Sequence, residues 1–147
     1  MYLIQSHRSE GEELSEHTSA SRVIVQKPVV GNVVVRDKLF LLKPDFQDGG
    51  DQRYYCPHCA QLEGVLSFYP RLRKEIDVEY VDFARPRLAI VKLLGEENQD
   101  APVLVVGGSL PPSVNVDNGS ANGQVFISGE ENIGLYLAQR YGIGLPH

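Results

Sequence analysis

Apolar residues fall into two periods along this chain. The run LFLL (residues 39–42) has no polar interruption, which suits a short strand buried on both faces. After a loop rich in Asp and Gly, Cys59, Leu62, Leu66 and Tyr69 recur at three- and four-residue spacing with Val65 beside them. That spacing predicts a helix that begins around the cysteines and ends before Pro70. IDVEYVDF (residues 76–83) alternates and reads as a second strand. Pro86 suits the first turn of a second helix, which carries Ile90, Leu93 and Leu94 inward and stops at Gly95. PVLVV (102–106) and QVFI (124–127) read as a third and a fourth strand, separated by GGSLPPSVNVDNGSANG, an elongated turn. Ser128 and Glu131 stand at capping-box spacing ahead of a last helix with Ile133, Tyr136, Leu137 and Tyr141 on its buried stripe.

The order β-α-β-α-β-β-α defines an α/β domain with a four-stranded mixed sheet, its first two strands parallel and its last two antiparallel. It spans residues 36–147. Residues 1–35 form an N-terminal extension: 1–21 are polar and aperiodic, like a disordered tail, and RVIVQKPVVGNVVV (22–35) reads as an edge strand or extended arm broken by Pro28 and Gly31. A start near Val35 is a second reading of the same stretch.

Composition narrows the function classes. With 147 residues, 42% of them hydrophobic, the chain supports one core. A net charge of -5 leaves no electrostatic footprint for nucleic acid or an anionic membrane, and no apolar run approaches a bilayer-spanning length. Small molecules and proteins remain as partners, which the two cysteines of the chain narrow to a small thiol or a protein disulfide, and the expected location is the cytoplasm.

The only two cysteines lie in YYCPHCA, at Cys56 and Cys59. A pair so spaced is a redox dithiol, half of a zinc site, or two buried small side chains. A structural zinc ion needs four ligands; no second pair exists, His7, His17 and His147 lie near the termini and His58 lies inside the pair, so no metal is expected. Packing suits Cys59 better than Cys56, which opens the helix. Free N–H groups at a helix start favour the thiolate there, making Cys56 the attacking sulfur and Cys59, one turn in on the apolar face, the resolving one. Pro57 fixes the backbone between them and His58 supplies a positive charge or a donor, which together set the couple on the oxidising side.

The topology gathers further candidates at the same end of the sheet: Tyr55, Arg85, Arg87, Ala101, Pro102 and Glu130. Arg85 and Arg87 beside a helix start suit a carboxylate or an acidic peptide, or else are a solvated loop. Tyr54 and Tyr55 either shield the thiol or pack beside the helix.

With the dithiol opening the first helix and a proline opening the third strand, the chain resembles the thioredoxin fold, and CPHC is similar to the active-site motif of DsbA-type disulfide oxidoreductases. APVLVV (101–106) and NIGLYLAQRYG (132–142) resemble glutaredoxins and the N-terminal domain of glutathione S-transferases, which implies a cis Pro102 with the Ala101 backbone facing an extended substrate. Taken from LFLLKPDF through YCPHC and FARPR to GEENQDAPVLVV, the chain most resembles an uncharacterised bacterial family of thioredoxin-like proteins, which carries no assigned reaction. Two departures matter. The transferase helical domain does not follow residue 142, and Gly129 and Glu130 stand where transferases place a Gln-Ser or Glu-Ser pair for glutathione. Glu130 can still meet the glutathione ammonium. The resemblance thus implies a thiol-disulfide oxidoreductase without a bound cofactor and with glutathione as candidate co-substrate. The alternatives are a non-catalytic glutathione- or peptide-binding module and a reductase of small oxidants.

Overall fold

A computed structural model describes residues 34–147. The expected tail, most of the expected arm, and His7 and His17 lie outside the described residues.

The apolar run forms β1 (Lys38–Leu42), and its period of two decides the layers. Leu39 and Leu41 point to one face, where they meet Leu62 and Leu66 of α1 (Pro57–Phe68) and Ile133, Tyr136 and Leu137 of α4 (Glu130–Tyr141). Phe40 points to the other face, where it meets Ile90, Leu93 and Leu94 of α3 (Leu88–Leu94). The molecule is therefore a mixed α/β sandwich with helices on both faces of the sheet. Among the described residues no helix is long and apolar enough to cross a membrane.

The sheet has five strands where sequence predicts four. Its order is β4-β1-β5-β7-β6, with β4 at Asp77–Val81, β5 at Val103–Val105, β6 at Gly119–Ala121 and β7 at Gln124–Ser128. β1 and β4 pair in parallel and β5 and β7 antiparallel, as their connections require. The extra strand is the end of the elongated turn, whose residues 119–121 add to the edge of β7. Glycine is needed at 119 because the ring of Phe126 lies there, and a Cβ would meet it at 2.5 Å. Sequence also missed the short α2 (Leu72–Glu75) and a two-stranded hairpin, β2 (Phe46–Gln47) with β3 (Arg53–Tyr54).

Two helix starts differ from expectation. Pro86 precedes α3, whose first residue is Leu88, because Arg87 adopts a non-helical backbone. Ser128 is not a cap: it remains in β7, paired with Val103, and Gly129 caps α4 without a side-chain hydrogen bond. Glu130 and Glu131 place negative charge in the first turn instead.

At the start of β1, Asp37 is only 3% exposed and binds three elements together. Its carboxylate accepts the Gly107 N–H at 2.7 Å and the hydroxyls of Tyr136 at 2.7 Å and Tyr141 at 2.6 Å. Gly107 approaches so closely that a Cβ would lie 2.5 Å from the Arg36 carbonyl carbon. Burial, then the contact with Asp37, pushes both tyrosine pKa values up from the ordinary 10.0. A raised pKa means that stability is fully present below pH 10.0 and is lost as pH rises beyond it. Urea denaturation is expected to show Tyr136→Phe less stable by about 1.5–3 kcal/mol at neutral pH, with a shallower loss than the parent above about pH 10. An unchanged midpoint at neutral pH would show that Asp37 does not depend on this donor.

Candidate functional site

Strand register assembles the candidate site at the end of the sheet opposite Asp37. Phe40 faces Val103, Leu42 faces Val81, and Val103 faces Ser128. The C-terminal ends of β1, β4 and β7 and the start of β5 thus lie together, and Cys56, the loop after β4, Pro102 and the start of α4 follow from them.

Cys56 is the N-cap of α1, with Pro57 at the first helical position. Its Sγ accepts the Cys59 N–H at 3.2 Å, as a capping side chain does. Cys56 is half-buried, whereas Cys59 is 4% exposed, and both are free thiols. The Leu42 N–H at the end of β1 donates to Cys59 Sγ at 3.4 Å. Burial, and next the hydrogen bond with Cys56, pushes the Cys59 thiol up to about 12; the Leu42 N–H and the Arg87 charge act in the opposite direction but do not outweigh them. The two sulfurs are therefore unequal in access.

His58 Nδ1 lies 2.7 Å from Glu130 Oε1, which joins the CPHC turn to the start of α4. Glu130's own N–H, and then His58, hold its carboxyl below the usual carboxylate range. The neighbouring Gly129 N–H donates to the Pro102 carbonyl at 3.4 Å, so the loop before β5 reaches the same junction. Pro102 is cis and buried, and Ala101 packs on the α3 side of the sheet.

Arg87 is 8% exposed. Its Nε donates to the carbonyls of Asp82 and Phe83, one terminal nitrogen to the Phe83 carbonyl at 2.7 Å, and the other to the Gln99 carbonyl at 2.7 Å. The Gln99 side chain accepts the Arg87 N–H at 2.8 Å. This guanidinium is committed to backbone, and burial lowers its pKa. Neither expectation for the arginine pair, an anion site or a solvated loop, describes Arg87, because a buried cation must satisfy its donors internally. Arg85 stays exposed and pairs with Asp100 at 2.6 Å.

Six of the candidates divide among three clefts. Tyr55, Cys56 and Cys59 line one of about 310 Å³ with Leu41, Leu42 and Tyr80. Arg85 and Arg87 line a second, of about 390 Å³, on the outer side of β4. Glu130 lines a third, of about 250 Å³, between α1, α4 and residues 143–147. Tyr54 turns away toward Phe46 in the hairpin, with ring centroids 6.3 Å apart. Phe46 stacks on Phe83 at 4.4 Å and so ties that hairpin to the loop after β4. Sequence reasoning missed Phe46, Phe83 and Gln99: Phe46 and Gln99 lie outside the periodic segments, and Phe83 is the last residue of the alternating run read as the second strand. Among the described residues no group of three or more His, Cys, Asp or Glu could hold a metal ion.

Residues 36–145 match the family model described as a protein of unknown function, DUF3088. The chain belongs to the DUF3088 family. No curated protein and no solved structure matches it. The CPHC turn, the loop before β5 and the start of α4 all lie within the DUF3088 region.

Because burial, which does not depend on Cys56, is the largest cause that raises the Cys59 pKa from 9.0, alkylation of Cys59 in a Cys56→Ser variant of this DUF3088 protein is expected to be slow at pH 7 and still rising at pH 9.0. Iodoacetamide labelling followed by mass spectrometry reads this, and a plateau below pH 9 would contradict the assigned environment.

Proposed function

We propose that the protein is a thiol-disulfide oxidoreductase of thioredoxin-like architecture, with Cys56 as the attacking sulfur and Cys59 as the resolving one. The observation that carries this reading is the inequality of the two sulfurs: Cys56 is half-buried at a helix N-cap, and Cys59 is buried one turn in with its thiol pushed up to about 12. A nucleophile must be reached by its substrate; a resolving thiol must be kept from competing until it is needed. Parallel β1 and β4, antiparallel β5 and β7, and the dithiol helix following β1 support the architecture.

The chemistry balances as two exchanges. The Cys56 thiolate attacks one sulfur of a substrate disulfide, the substrate S–S bond breaks, and one substrate thiolate leaves as the mixed disulfide forms. Cys59 then loses its proton to the departing thiolate or to water and attacks Cys56 Sγ. The protein disulfide forms, the second substrate thiol is released, and two electrons have passed from protein to substrate. The reverse sequence oxidises a dithiol substrate. The small motif loop suits this work, since Pro57 holds the turn and the His58–Glu130 pair anchors it to α4.

Glutathione remains the candidate co-substrate, with the acidic Glu130 near the dithiol end of the sheet, although His58 already occupies that carboxylate. A peptide-holding module without turnover would rely on the Pro102 edge and the exposed Arg85, since the Arg87 donors are taken by carbonyls.

Reduced Cys59→Ser protein mixed with glutathione disulfide is expected to accumulate a mixed disulfide at Cys56, seen by intact mass and peptide mapping, while Cys56→Ser protein gives none. If wild type and Cys59→Ser both remain unmodified by glutathione disulfide and by a disulfide-bonded protein, the oxidoreductase reading fails.

A further inference from the structure

The cleft that contains both sulfurs has a mostly apolar lining. Leu41, Leu42, Pro44 and Ala60 give it aliphatic walls, and Tyr55 and Tyr80 add aromatic ones. Glu63 is the one side chain with a formal charge among them, and that charge is already answered: Arg73 pairs with it, and the Tyr80 hydroxyl donates to it at 2.6 Å. Its volume, about 310 Å³, lies at the small end of ligand pockets. The sulfurs are placed in its wall by the Leu42 and Cys59 N–H groups, so a reacting group bound there meets sulfur rather than a general base. The neighbouring cleft outside β4 is opposite in character, with Lys43, Glu79, Asp82 and Arg85 in its lining and no sulfur.

We infer that this apolar cleft is the specificity pocket of the dithiol, and that it takes the uncharged aryl or alkyl substituent of a small organic disulfide. The inference rests on the oxidoreductase reading and adds the substrate class. With no unpaired charge inside, a charged substituent would lose hydration and gain no partner, whereas an apolar one gains by leaving water. Cys56 attacks the sulfur that carries the seated substituent, the substrate S–S bond breaks, and the other half leaves as its thiolate, the substrate itself being the oxidant.

The test uses methanethiosulfonate reagents, which deliver different substituents with one leaving group. The Cys56 thiolate attacks the sulfenyl sulfur and methanesulfinate departs. Rates of Cys56 modification on the reduced full-length chain are measured for methyl, benzyl, sulfonatoethyl and trimethylammonioethyl reagents, each divided by its rate with free cysteine. The benzyl reagent is expected to be favoured by about tenfold or more over both charged ones. Ala60→Phe, at an exposed position of α1 that lines the cleft, is expected to erase that preference, read as the ratio of the benzyl rate to the methyl rate. Equal normalised rates in the parent protein would overturn the proposal, and so would a benzyl preference undiminished in Ala60→Phe. Modification by these reagents does not need a working redox couple. A chain that shows the preference but never forms a Cys56–Cys59 disulfide would leave the pocket standing and defeat the oxidoreductase reading; the converse result would defeat the pocket alone.

Discussion

The buried guanidinium of Arg87 is the constraint around which the candidate site is arranged. A cation taken out of water must have its donors satisfied, and here the partners are carbonyls of Asp82 and Phe83 after β4 and of Gln99 before β5. One side chain therefore fastens together the two loops that flank α3. Both loops lie at the end of the sheet where β1 delivers Cys56, and the Arg87 charge acts on Cys59 by lowering a pKa that burial raises. Phe83 adds a second tie, through its stack on Phe46, to the loop that leads into the cysteines.

The opposite end of the sheet is held by the complementary device. Asp37 is a buried acceptor where Arg87 is a buried donor, and it gathers Gly107 after β5 and two tyrosines of α4. α4 thus runs between two polar anchors, with Tyr136 and Tyr141 at Asp37 and Glu130 at His58. Its apolar stripe packs on Leu39 and Leu41 between them. Such an arrangement fixes the helix along its length as well as across it, and keeps the CPHC turn in register with the sheet.

Much of this was legible in the sequence because it is periodic or local. The uninterrupted run at residues 39–42, the helical spacing after Cys59 and the cysteine motif itself each carry their own signal. β6 was not legible, since Gly119, Ser120 and Ala121 have little strand preference and pair only because Phe126 leaves room above a glycine. α2 is four residues long, too short to show a period. The role of Arg87 was hidden because an arginine beside a proline reads alike in a solvated loop and in a buried hub; only the placement of Gln99 and Phe83 tells them apart. Asp37 was hidden for the related reason that a charged residue ahead of a strand normally belongs to solvent. The cleft beside the two cysteines combines residues from β1, α1, β4 and the intervening loop, a juxtaposition that no local pattern encodes.

The proposed function stands on the two sulfurs acting as one couple, and a redox titration tests that most directly. The protein is equilibrated in glutathione buffers of graded potential, quenched with acid, alkylated and weighed. The account predicts a single reversible transition in which the chain loses two hydrogens as Cys56 and Cys59 join within one molecule. Two thiols that remain alkylatable across the whole range, or that oxidise only between molecules, would contradict it.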